Sequence, residues 1–170
     1  LKKSRIEYFF ARLSEARNHL PKIEMMRFVD GIQIEEEYIT AEDIPECEKI
    51  EEVNIQYKTK NQDNKIVKLT KTASFQIRSY SLTCNKLKEN KIYLVSNKAS
   101  VKKVKFNQLK PADIVDGKHL ILLISGDYIN EADTDERGML TLLSNKTAEK
   151  RPISDLIADE FITFEDIVDA

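Results

Sequence analysis

The chain has 170 residues, of which 41% are hydrophobic and 33% charged, with a formal net charge of -2. That length carries a substantial core, and a pI ≈ 5.8 gives no electrostatic basis for nucleic acid as the main partner. No apolar run is long enough for a membrane-spanning helix and no signal-peptide pattern opens the chain. Cys47 and Cys84 stand far apart with no His nearby, so they read as small buried or half-buried side chains in a reducing cytoplasm. The chain opens inside a helical pattern without an initiator Met, and is read as a piece of a longer protein.

Ile6, Phe9, Phe10, Leu13 and Leu20 recur at helical spacing, with Arg5, Glu7, Arg12 and Glu15 on the other face and Pro21 as the stop. Phe9 and Phe10 read as core or interdomain packing. Ile23 to Val29 and Ile32 to Ile39 flank Asp30-Gly31, a hairpin signal. Residues 40–52, acidic and containing Pro45, read as a loop or short helix. Val53 to Tyr57 alternates as a half-buried strand. A polar turn at Asn61 to Asn64 separates it from Ile66 to Thr72, and Phe75, Ile77 and Tyr80 suggest a further strand.

Residues 82–90 read as a turn or short helix, Lys91 to Val95 as a clear strand, and Val101, Val104 and Phe106 as a weaker extended segment. Pro111 to Gly117 punctuates the chain before Leu120 to Ile124, five aliphatic residues expected to form a buried strand. Ser125, Gly126 and Asp127 stop that run. An acidic segment follows from Asn130 to Glu136, then Arg137-Gly138 and a second apolar run, Met139 to Leu143. Ser144 to Arg151 reads as a surface connection. Ile153, Leu156, Ile157, Phe161, Phe164, Ile167 and Val168 fall at helical intervals, with Ser154 as the expected cap. The order of elements predicts an α+β domain with a mainly antiparallel mixed sheet and packed helices. Residues 1–145 form its body, and 146–170 a helical segment that packs on the sheet or leads to a further domain.

Phosphate loops, HExxH, paired CxxC motifs and nucleophile elbows do not occur. His19, near a helix end, reads as a dipole contact, and His119 as structural or exposed. Neither has a metal-ligand partner in the sequence, and no metal site is expected. The lysines around 98–105 suggest nucleic acid only weakly, given the acidic balance.

Three segments carry a family resemblance: Tyr8-Phe9-Phe10-Ala11-Arg12-Leu13, Ile92-Tyr93-Leu94-Val95-Ser96-Asn97-Lys98, and Ser125-Gly126-Asp127-Tyr128-Ile129-Asn130 with Asp135-Glu136-Arg137 closing the loop. In this order they resemble the middle, or transducer, domain that follows the ATP-binding domain in GHKL-type ATPases, in the bacterial heat-shock-ninety-like branch. Lys98 stands where the family's pattern has Arg, and Ile129-Asn130 where Leu-Asp is commoner. The resemblance implies the fold of the second domain of ribosomal protein S-five. It also implies ATP with Mg2+ on a preceding N-terminal domain of the same chain, none bound by this piece alone, and a cytoplasmic, chaperone-like homodimer. Arg137 would reach the terminal phosphate of that ATP, with Lys98 and Asn97 as weaker phosphate-facing candidates. Planar guanidinium groups clamp phosphate oxygens bidentately. The competing expectation for Arg137 is an ion pair with Asp133, Asp135 or Glu136. For the whole chain the alternative is a non-catalytic protein-interaction module without a nucleotide role.

Overall fold

The structure, a computed structural model, describes residues 2–97, 99–105, 109–134, 140–150 and 160–170. It is an α+β arrangement of a five-stranded mixed sheet, a separate two-stranded hairpin and short helices. Helix α1 (Lys2–Ala16) buries Phe10, Ala11 and Leu13, while Phe9 is 41% exposed. A 3-10 turn at Arg17–His19 ends the helix ahead of Pro21. Glu15 is exposed and Glu7 half-buried, yet both reach the sheet. Eight positions apart, a little over two turns, they share one side of the helix and pair with sheet cations, Glu7 with Lys91 and Glu15 with Arg78 at 2.9 Å.

Strands β1 (Ile23–Val29) and β2 (Ile32–Ile39) form the expected hairpin. Asp30 (φ 51) and Gly31 (φ 78) both take the left-handed conformation of the tight turn that matches strand twist. The base of the hairpin joins the core through Ile23, Met25 and Ile39. Its outer part exposes Met26, Phe28, Val29, Ile32 and Ile34.

The main sheet runs in the order β3-β4-β7-β5-β6, from β3 (Lys49–Lys60), β4 (Ile66–Thr83), β5 (Lys91–Ser96), β6 (Ala99–Val104) and β7 (Lys118–Ser125). Strand β3 starts at Lys49, before the expected Val53, because its first residues pair with Gln76 to Ser79 of β4. The two strands expected across 66–80 are one. The mainly polar residues 70–74 weaken the apolar alternation, but β3 pairs with β4 on both sides of a bulge and β7 takes over pairing from Gln76. Strand β7 pairs antiparallel with β4 and parallel with β5.

Alternation divides the core between two faces. Tyr80, Val95, Ile121 and Leu123 lie beneath α1, where Phe10 meets Tyr80 edge-on with centroids 5.0 Å apart. Phe75, Ile92, Leu94 and Ile124 lie on the opposite face with Ile129, Ile162 and Ile167. Strand β7 is therefore buried from both sides, as its aliphatic run predicts.

Helix α2 (Asp127–Ala132) occupies the start of the expected acidic loop, and α3 (Asn145–Lys150) the expected surface connection, burying Ala148. From the second apolar run, Leu140 and Leu143 form isolated bridges to Asp133 and Thr163. Ser154 lies outside the described residues. The described terminal helix, α4 (Phe164–Asp169), is capped by Thr163, whose side chain accepts from the Asp166 N–H. Phe161 instead continues the sheet, exchanging backbone hydrogen bonds of 2.7 and 2.9 Å with Lys58. Cys47 is exposed rather than buried, whereas His119 is buried with Nδ1 3.1 Å from the Asp113 carbonyl.

Asp166 pairs with Lys58 at 2.6 Å and accepts from Thr163. Burial works against its charge, yet Lys58 and Thr163 outweigh it and keep the carboxyl below its ordinary value. A depressed pKa contributes stability above the unfolded value of about 3.9, which is lost as pH falls through the folded value. Asp166→Asn should lower the urea midpoint at pH 7, with the gap to the parent chain closing below about pH 4.

Gly126 has a different constraint. A Cβ there would lie 2.8 Å from the Ser74 carbonyl oxygen and 3.2 Å from the Phe75 ring. Because the nearer atom is backbone, Gly126→Ala should cost about 1–3 kcal/mol in a denaturation series.

Candidate functional site

The parallel pair β5/β7 sends two chain segments out at the same edge of the sheet. Val95 of β5 is opposite Ser125 of β7, so Ser96-Asn97 and Gly126-Asp127 leave side by side. Ser96 is buried and pairs with Ala99, which places Asn97 in the turn between β5 and β6. Asn97 has φ 47, the left-handed region that Asn tolerates better than most side chains. Its backbone N–H donates to Asn130 Oδ1 at 3.0 Å, and its side-chain amide donates to Ser96 Oγ at 3.3 Å. Asn97 thus serves the turn, and its N–H ties that turn to α2.

The SGDY segment is organised around close approach and one hydroxyl. Gly126 lets the chain pass against β4 and opens α2, whose Ile129 is fully buried. Tyr128 Oη donates to the Ile162 carbonyl at 2.9 Å and accepts from the Ile162 N–H at 2.8 Å. Burial pushes the Tyr128 phenol upward in pKa, so it stays protonated and able to donate. Tyr128 also meets Tyr57 edge-on at 5.7 Å. These contacts hold α2 between the sheet and the terminal segment.

Beyond α2, residues 132–133 and 140–141 are joined. Asp133 bridges Leu140, and Thr141 donates to the Ala132 carbonyl from its N–H at 2.8 Å and its hydroxyl at 3.0 Å. Arg137 belongs to residues 135–139, and with Lys98 lies outside the described residues. Asp133 Oδ1 is buried and accepts no hydrogen bond among the described residues. A carboxylate oxygen in that position is unfavourable until a donor reaches it.

Sequence reasoning named Asn97, but it did not find the roles of Asn130 or Asn90. Asn90 is buried: Nδ2 donates to the Lys110 and Asp113 carbonyls at 2.8 and 2.7 Å, and Oδ1 accepts from Leu120 N–H at 2.7 Å. It thereby fixes the approach to β7. Nothing in local spacing distinguishes such an Asn from one in an exposed turn. Among the described residues no group of three His, Cys, Asp or Glu side chains is arranged to hold a metal ion. No described helix is long and apolar enough to cross a membrane.

No family model, curated protein or solved structure matches the chain.

Removing the side chain that joins the two loops should loosen them without dismantling the sheet. Asn130→Ala should cost about 1 kcal/mol, and hydrogen exchange at the Asn97 amide should quicken while that of β7 amides is retained. Unchanged exchange at Asn97 would show that the bond does not order the turn.

Proposed function

We propose that this chain is the transducer domain of a chaperone-like GHKL-type ATPase, with the ribosomal protein S-five second-domain fold. It couples ATP binding and hydrolysis on a preceding domain to a change in domain arrangement. The observation that carries this reading is the 3.0 Å hydrogen bond from Asn97 N–H to Asn130 Oδ1. It joins the turn at Asn97 to helix α2, and both belong to segments on which the family resemblance rests. Both leave the carboxyl ends of parallel strands, where open sheets commonly present ligand-facing groups.

In this reading Arg137 reaches across to the terminal phosphate and offsets the charge that develops during transfer. The buried Asp133 oxygen, which has no donor among the described residues, is its resting counterion when nucleotide is absent. Lys98 adds a point charge beside the same phosphates, and Asn97 shapes the turn that presents it. ATP and Mg2+ are held by the preceding domain. Homodimerisation of the whole protein and a cytoplasmic location belong to the same proposal.

One observation favours the second reading, a non-catalytic protein-interaction module. The β1–β2 hairpin exposes Phe28 by 55%, Ile32 by 68% and Ile34 by 52%, a concentration of apolar surface typical of contact sites.

ATP turnover separates the two. In the chain joined to its ATP-binding domain, Arg137→Ala should lower kcat about a hundredfold or more, and the 170-residue chain alone should show no turnover. Equal turnover in parent and variant would remove Arg137 from the reaction. No turnover in the joined protein would favour the interaction module.

A further inference from the structure

On the face of the sheet beneath α1, away from the Asn97–Asn130 edge, lies a cleft of about 420 Å³. That volume falls within the roughly 300–1,000 Å³ of small-molecule sites. Its walls are apolar: Ile6 and Phe10 come from α1, Leu82, Tyr93 and Ile121 from the sheet, and Leu87 from the turn before β5. Apolar walls alone would not specify an occupant. The polar groups around them do.

Most charges on the rim are already matched. Lys91 pairs with Glu7, Lys2 Nζ pairs with Asp43 at 2.7 Å, and the Lys2 N–H donates to Glu37 at 2.9 Å. Lys86 lines the same cleft and is exposed. Its ammonium forms no ion pair with the described residues. The half-buried Tyr93 is in a similar position, since its hydroxyl makes no hydrogen bond with the described residues. Burial first, and then the Glu7 and Glu89 carboxylates, push the Tyr93 pKa up to about 12, so the phenol remains a donor throughout the physiological range. An ammonium has donors and no acceptor, and this phenol is held in its donating form. Both groups therefore offer hydrogen-bond donors at the cleft with no acceptor among the described residues, and the ammonium favours an anion there.

We propose that this cleft binds a small carboxylate-bearing apolar molecule, with its hydrocarbon body between α1 and the sheet and its carboxylate on Lys86 and the Tyr93 hydroxyl. The site is independent of the nucleotide reading, since it uses none of Asn97, Lys98 or Arg137. Binding would also bear on α1, because Glu7 and Lys91 flank the same opening and hold the helix to β5.

The test uses the 170-residue chain and three probes of equal chain length below their aggregation concentrations: decanoate, decan-1-ol and decyltrimethylammonium. Calorimetry gives affinities, and amide shifts in heteronuclear spectra locate binding. Decanoate should bind about tenfold or more tightly than decan-1-ol, the increment of one charge-assisted hydrogen bond, and shift Leu87, Tyr93 and Ile121. Lys86→Ala, a change at an exposed position, should abolish the preference for decanoate while leaving decan-1-ol binding in place. Ile6→Trp, which fills the cleft, should remove binding of both, and Phe28→Ser on the hairpin should alter neither. Equal affinity for decanoate and decan-1-ol in the parent chain overturns the proposal. So does binding that survives Ile6→Trp in a folded variant, binding lost in Phe28→Ser, or no binding of any probe.

Discussion

The pairing of β7 with β4 on one side and β5 on the other is the constraint on which the rest of the molecule depends. An antiparallel partner can follow through a short turn, whereas a parallel one requires the chain to travel back to the starting edge. Here the return runs through β6 and the segment leading to Lys118. It is directed by Asn90, which binds two carbonyls of that segment and the Leu120 N–H of the incoming strand. Once β7 is seated, β5 and β7 must end at one edge. The turn at Asn97 and the start of α2 are neighbours for that reason.

Burial of β7 from both faces then demands two covers. Helix α1 supplies one, with apolar residues toward the sheet and two carboxylates bound to Lys91 and Arg78. The other is assembled from α2 and a strand-like segment followed by α4. Such short helices have little intrinsic stability in water, so their order comes from tertiary contacts. Tyr128 satisfies both backbone groups of Ile162, Thr163 caps α4, and Lys58 holds Asp166. Lys60, buried at 3% exposure, donates to the Glu149 carbonyl at 2.9 Å near the end of α3, where a cation suits the helix dipole.

Besides Arg78 Nε, which is buried without a hydrogen-bond partner among the described residues, two features stand outside this economy of matched groups. Asp133 presents a buried carboxylate oxygen without a described donor, and the cleft beneath α1 presents two donors without an acceptor. Polar groups inside proteins are nearly all satisfied, so the buried Asp133 oxygen is informative about what is to be bound. The two features lie at different parts of the fold, one beyond α2 and one under α1, and differ in sign. The first asks for a cation such as a guanidinium, the second for an anion with an apolar body.

Elements whose signal is local were legible in the amino-acid order. The Asp-Gly turn of the β1–β2 hairpin, the aliphatic run of β7, KIYLV of β5 and the apolar stripe of α1 all contain their own periodicity or turn chemistry. The α+β class follows from their order. Tertiary structure decided what local patterns underdetermine. Strand β4 runs on through the largely polar residues 70–74 because β3 pairs with Thr72, Ala73 and Ser74 and resumes at Lys68 beyond a bulge. Phe161 joins the sheet, despite the helical spacing around it, because the Lys58 backbone offers both a donor and an acceptor. Glu7 and Glu15 look solvent-facing in sequence, and what the sequence does not show is that each also pairs with a distant sheet cation. The meeting of Asn97 with Asn130 likewise depends on the parallel register of β5 and β7, a long-range pairing that neither segment encodes alone.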